Sequence, residues 1–211
     1  MMSYTKIMRT AVLAWALGLS LTAYADGQPG KFDYYLLTLS WSPEYCAKAK
    51  SDNIQCKADG HYGFVVHGLW PQYNKGYPDS CSTTPDVPDA LVQKMLPIMP
   101  SASLIRHEWE KHGTCSGKDV DGYFDLINTT FRSIKIPAAF VNPRSQVNTS
   151  AAKIRQQFLD SNPNLQMAVA CQGAYLQEVR LCFDKAMHAT ACSSEVRDHC
   201  LASSVIMRPT R

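Results

Sequence analysis

The chain has 211 residues, 45% of them hydrophobic and 18% charged, with a net charge of +3. That composition suits one globular domain with a real core and excludes a disordered or fibrous chain. Lys6 and Arg9 are the only charges in residues 1–25, so residues 26–211 carry +1, too little for a polycationic nucleic-acid coat.

Residues 1–25 read as a secretory signal peptide. Met1 to Arg9 is a basic lead, Ala11 to Leu21 an apolar core too short to span a bilayer, and Ala23-Tyr24-Ala25 a small-x-small cleavage site. Residues 26–211 then form a single domain, exported to the periplasm or outside the cell, with no membrane contact. All eight cysteines follow the leader, an even count that points to four disulfides in an oxidising compartment. No Cys-x-x-Cys pair suggests a metal ribbon or finger, and spacing alone does not choose among the possible pairings.

Phe32 to Trp41 is rich in aromatic and apolar residues and predicts a long strand that stops at Ser42-Pro43. Cys46 to Cys56 predicts a short helix and a loop. Tyr62 to Val66 predicts a second, short strand, with His67 just after it and Gln72 to Cys81 a loop by its Gly, Pro and Asn content. Asp89 to Leu96 has helical spacing and is stopped by Pro97 and Pro100. Ser103 to His112 predicts a helix with Ser101 or Ser103 as N-cap and Gly113 as a left-handed terminator. Asp121 to Ile134 and Ser150 to Leu159 predict two more helices. Leu165 to Ala170 and Tyr175 to Phe183 predict a strand pair turning at Gly173. The remaining segment, with Cys192 and Cys200, reads mostly as loop. Asn128-Thr-Thr130 and Asn148-Thr-Ser150 are sequons, of consequence only in a glycosylating host.

The helix ending at His112 is dense in chemistry. At about 100° per residue, Glu108 and His112 share one face and His107 and Lys111 the next, while Trp109 points to the core. A zinc protease helix needs two histidines at i,i+4. Here they stand at i,i+5, about 140° apart, and Lys111 occupies the second ligand position, where its ammonium would repel a dication. His67 offers a third imidazole, followed by Gly68, whose missing side chain leaves room for a ligand, and by the aromatic faces of Trp70 and Tyr77. Two imidazoles can hold opposite protonation states near neutrality, one accepting a proton while the other donates. A lysine and a third histidine can stabilise an anion that gains charge in the transition state. Attack of a ribose 2′-hydroxyl on its adjacent phosphate suits this set, because the nucleophile arrives with the substrate and no metal or cofactor is required.

Gly63-Phe-Val-Val-His67-Gly-Leu-Trp-Pro71 and His107-Glu-Trp-Glu-Lys-His-Gly-Thr-Cys115 resemble the two active-site segments of the ribonuclease T2 family. The resemblance extends over the chain after the leader, from Trp41-Ser-Pro43 to the paired terminal cysteines. It implies an α+β fold, an antiparallel sheet with helices packed against it, and a monomeric endoribonuclease acting on single-stranded RNA through a 2′,3′-cyclic phosphate to a 3′-phosphate. It implies His67 as general acid, His112 as general base, His107 on the phosphate, Glu108 and Lys111 on the pentavalent state, and Trp70 and Tyr77 against a base. It also implies the disulfides Cys46–Cys56, Cys81–Cys115, Cys171–Cys200 and Cys182–Cys192. Gln72 stands where some members carry an Asp that reads adenine, and Leu104 and Ile105 where a Phe-Trp pair is frequent. The competing readings are a zinc hydrolase and a ribonuclease-like binding or toxin module that acts without cleavage.

Overall fold

The computed structural model describes residues 27–49, 54–56, 61–83 and 86–210. The expected signal peptide, residues 1–25, lies outside them, and among the described residues no helix is long and apolar enough to cross a membrane.

Strand β1 (Tyr34–Trp41) is buried along almost its whole length. It lies between β2 (Phe64–Gln72) and β5 (Tyr175–Phe183), antiparallel to both, and β4 (Gln166–Gln172) pairs with the other edge of β5 through a turn at Gly173. Two three-residue strands, β3 (Val147–Thr149) and β6 (Val205–Met207), complete the sheet in the order β2-β1-β5-β6-β3. Strands β5 and β6 pair in parallel, at Tyr175 and Ile206. Strand β6 falls in the segment expected to be loop, because three residues are too few to display an alternation.

The two faces of β1 have different fates, as strand geometry requires. Tyr35, Leu37, Leu39 and Trp41 enter the main core. There they meet Leu91, Val92 and Met95 of helix α2 (Asp89–Met95), Ile105 and Trp109 of α3 (Ala102–Lys111), Tyr123, Phe124 and Ile127 of α4 (Val120–Ser133), and Ile154 and Phe158 of α5 (Ala151–Ser161). Tyr34 and Leu36 face the other way and form a smaller cluster with Cys182, against Trp70, Cys192 and Val196. The next two residues on that second face, Thr38 and Ser40, pair with Arg180 and Glu178 of β5. A polar patch therefore interrupts a buried sheet. Helices α3, α4 and α5 start at side-chain N-caps, Ser101, Asp119 and Ser150. A short helix, Ser42–Lys48, follows β1 directly with Pro43 in its first turn.

Strand β2 runs six residues beyond the expected end at Val66. Being an edge strand, it tolerates Pro71. Its register shifts opposite Thr38 and Leu39: Thr38 pairs with Gly68 and Leu39 with Val66, which leaves His67 as the extra residue of a β-bulge. A bulge bends its strand and re-aims the side chain it carries, so His67 sits inside β2 rather than after it.

Four disulfides join Cys46–Cys56, Cys81–Cys115, Cys171–Cys200 and Cys182–Cys192. Cys81–Cys115 ties the loop after β2 to the short 3₁₀ turn Gly113–Cys115 that follows α3. Backbone and side-chain bonds reinforce that tie, Ser80 N donating to the Lys111 carbonyl and Cys81 N to Thr114 Oγ1.

Gly113 does not adopt the left-handed conformation expected of a terminator, since it is absent from the positive-φ glycines of the described chain. It is required for packing instead. A Cβ there would lie 2.3 Å from Trp109 Cε3 and 2.9 Å from the Tyr123 ring. Gly113→Ala should therefore lower the unfolding free energy by about 2 kcal/mol through overpacking. Denaturant unfolding of the disulfide-intact protein measures it, and an unchanged midpoint would contradict the packing account.

Candidate active site

Helix α3 delivers Glu108 and His112 to the flank of β2. Both are buried, Glu108 to 1% exposure and His112 to 7%. His112 is the residue that ends the helix, and its backbone N–H still bonds to the Glu108 carbonyl. The shared helix face expected of the pair is thus turned inward.

Glu108 is the hub. Its Oε2 accepts a 2.7 Å hydrogen bond from the Trp70 indole N–H, and its Oε1 lies 3.8 Å from His67 Nε2. Gly68 makes this possible: a Cβ there would fall 2.0 Å from Glu108 Oε2 and 2.3 Å from Trp70 Nε1. The glycine expected to admit a ligand instead admits the glutamate. Burial pushes the Glu108 carboxyl up to about 7, although His67, the Trp70 bond and Lys111 all favour its charged form.

Four rings stand in a row. Tyr77 is 6.2 Å from His112, His112 is 5.2 Å from Trp70, and Trp70 is 5.1 Å from His67. Trp70 is thus wedged between two imidazoles, while Tyr77, at the outer end, is half exposed and open to a ligand. The Gln72 amide is turned back onto its own chain, donating to the Pro71 carbonyl.

The two imidazoles of this row are driven in opposite directions. For His112, burial and then Lys111 disfavour the cation, lowering its pKa to about 3. For His67, burial also disfavours the cation, but Glu178 and Glu108 outweigh it and the pKa rises above its ordinary value. Lys111 forms a 3.0 Å ion pair with Asp79 of the disulfide-tethered loop, which strengthens its own hold on the proton. His107 is exposed on the neighbouring face. With His67, Ser40, Tyr45, Val65 and Leu104 it lines a cleft of about 380 Å³, and a second arm of about 310 Å³ opens past Tyr45, also reaching His67. Among the described residues no cluster of His, Cys, Asp and Glu could hold a metal ion.

A model of the ribonuclease T2 family matches residues 32–192. A ribonuclease of Aeromonas hydrophila is 36% identical over 195 residues, 87% of each chain. The chain belongs to the ribonuclease T2 family. Solved structures show the same fold: RNase NT in complex with 5′-AMP superposes with a TM-score of 0.70 at 23% identity, over 84% of this chain and 98% of that one. An RNase-related protein from Calystegia sepium superposes with a TM-score of 0.71 at 22% identity, over 85% of this chain and 98% of that one.

The residues expected from the family's two segments come together as two groups around Trp70. His67, Glu108 and His112 touch its ring or its N–H, while His107 faces the cleft and Lys111 the Asp79 loop. Two acids were missed, Glu178 beside His67 and Asp79 on Lys111. The signal for Glu178 was available, as a lone carboxylate at a buried position of the apolar strand β5. Trp70→Phe removes a hydrogen bond that favours the charged form of Glu108. It should raise the Glu108 carboxyl by about a further pH unit, read by ¹³C carboxyl titration. A value unchanged or lower would show that the indole bond does not govern this acid.

Proposed function

We propose that this ribonuclease T2-family enzyme cleaves single-stranded RNA without a metal, by a pair of histidines acting on the substrate's own 2′-hydroxyl. The observation that carries this reading is the opposite bias of two imidazoles held on either side of one indole ring. At neutral pH His112 is the neutral one and suits the base that takes the 2′-proton. His67 holds its proton more tightly than an ordinary imidazole and suits the acid that protonates the leaving 5′-oxygen. The 2′-oxygen attacks phosphorus as the bond to the 5′-oxygen breaks, giving a 2′,3′-cyclic phosphate. Water then opens that ring to a 3′-phosphate with the two histidines in exchanged roles.

Glu108, poised near neutrality, can donate a hydrogen bond to a phosphoryl oxygen when protonated. Lys111 supplies positive charge, and a phosphate entering beside it competes with Asp79. His107, exposed at the mouth of the cleft, is placed to meet a phosphate oxygen. Tyr77, half exposed beside His112, suits stacking on a base, with Gln72 and Trp70 close by. The nucleotide in RNase NT, a structural neighbour, supports a nucleotide-binding cleft in this fold. Four disulfides support export to an oxidising compartment, behind the signal peptide read at residues 1–25. The enzyme is taken to act as a monomer.

Digestion of defined RNA oligonucleotides in EDTA should proceed unimpaired and give cyclic phosphates that later become 3′-phosphates. Loss of cleavage on chelation, or products with 5′-phosphates, would sink the mechanism. The pH profile of kcat/KM should be bell-shaped and wide. His112 must be neutral, so activity is lost as pH falls towards about 3. His67 must be charged, so activity is lost as pH rises through its raised pKa, above the ordinary 6.5. His67→Ala and His112→Ala should each lower kcat by at least about 1,000-fold in a folded protein, and near-normal turnover in either would reject that residue's role.

A further inference from the structure

Strand β5 carries a buried charge that the mechanism above does not use. Glu178 is 4% exposed and lies two residues from Arg180, on the same face of the strand. That face is built from short side chains on both sides. Across one ladder Glu178 pairs with Ser40 and Arg180 with Thr38, and across the other they pair with Ala170 and Ala168. Nothing bulky on β1 therefore stands between β5 and β2. A glutamate from β5 reaches across the intervening strand towards the imidazole that the β2 bulge presents. Glu178 Oε2 lies 3.9 Å from His67 Nδ1, an ion-pair contact still too long for a hydrogen bond. Both atoms are buried, and neither has another hydrogen-bond partner among the described residues. The second carboxylate oxygen, Oε1, accepts from Arg180 Nη2 at 3.3 Å.

We propose that Glu178 is the positioning residue of His67, holding the Nδ1–H edge of the imidazole so that the proton delivered to substrate leaves from Nε2. The inference rests on reading His67 as the general acid. Burial of Nδ1 is what favours it. An edge closed to solvent cannot meet a substrate oxygen, so the mobile proton belongs to Nε2, on the Glu108 side of a ring that lines the cleft. A carboxylate behind the ring fixes its tautomer and stabilises its cation, as in other acid–base assemblies where a histidine is oriented by an acid. The Nδ1 proton stays on the ring throughout. The Nε2 proton passes to the 5′-oxygen as the P–O5′ bond breaks.

The charged and titratable groups around His67 are Glu178 and Arg180 from β5 and Glu108 from α3, with His112 beyond Trp70, His107 across the cleft, and Tyr45, Glu44 and Lys48 of the helix Ser42–Lys48 along its second arm. Arg180 keeps Glu178 from becoming a competing proton trap. Burial alone would raise the Glu178 carboxyl, yet His67 and Arg180 bring it below its ordinary value, so it remains a carboxylate while His67 is charged.

Glu178→Gln keeps the shape and removes the charge. Its alkaline limb in kcat/KM should move to lower pH by about one unit. Its kcat on RNA at pH 7 should fall about 10- to 100-fold with KM nearly unchanged. On a nucleoside 3′-(4-nitrophenyl phosphate), whose leaving group needs no proton, most of the loss should vanish for both Glu178→Gln and His67→Ala. If His67→Ala is as crippled on that ester as on RNA, the acid reading of His67 falls, and this proposal with it. If His67→Ala recovers but Glu178→Gln keeps its alkaline limb in place, or loses equally on both substrates, the acid reading stands and the role of Glu178 is overturned. Should Glu178→Gln not fold, ¹⁵N NMR of histidine in the unmodified protein decides. Neutral His67 must be the Nδ1–H tautomer, and finding Nε2–H would overturn the proposal.

Discussion

Glu108 has lost nearly all contact with water, and its Oε2 keeps one hydrogen bond, from the Trp70 indole. An ionised carboxylate in that position is costly unless it is compensated. Much of the site reads as compensation. Gly68 vacates the space the carboxylate occupies. The bulge in β2 turns His67 towards it. Trp70 must hold its N–H inward, which places its ring between His67 and His112. The disulfide Cys81–Cys115 and the Ser80–Lys111 backbone bond keep the end of α3 at this depth. Moving Glu108 would therefore disturb each of these contacts, which is why a single acid can organise residues from a strand, a helix and a loop.

The same burial separates the histidines. Both imidazoles are desolvated, and desolvation alone would neutralise both. His67 escapes because it sits between two carboxylates, Glu108 at Nε2 and Glu178 at Nδ1. For His112, Lys111 adds to burial against the cation, and Asp79 opposes it without restoring the cation. In the proposed mechanism, acid and base are thus set by which charges share the pocket, through two chemically identical side chains.

Much of the fold was legible because long apolar runs and caps announce themselves. Strand β1 is mostly aromatic and aliphatic, and Ser101, one of the two expected caps, starts α3 by its side-chain oxygen. Strand β2 continues past Val66 through Gly68 and Pro71, which only the sheet order, placing it at an edge, makes intelligible. Strand β6 is specified by its partners β3 and β5 more than by its own three residues. In the site, Glu108 and His112 were expected on one helix face, but which way that face points depends on packing against Tyr123 and β2. Both glycines were explained wrongly for the same reason. Gly68 and Gly113 are fixed by what lies across from them, Glu108 in one case and Trp109 and Tyr123 in the other. Glu178 is distant in sequence from both segments and becomes a neighbour of His67 only when β1 pairs with β2 and β5.

The proposed division of labour requires His67 and His112 to differ in protonation state in the free enzyme, one ring cationic and the other neutral. A ¹H–¹³C NMR titration of the histidine rings, assigned by single substitution, reads both at once. His67 should titrate above 6.5 and His112 far below it, so that an interval of several pH units has one ring charged and the other neutral. Coincident titrations, or His112 losing its proton at the higher pH, would contradict the assignment of acid and base and the role given to the buried carboxylates.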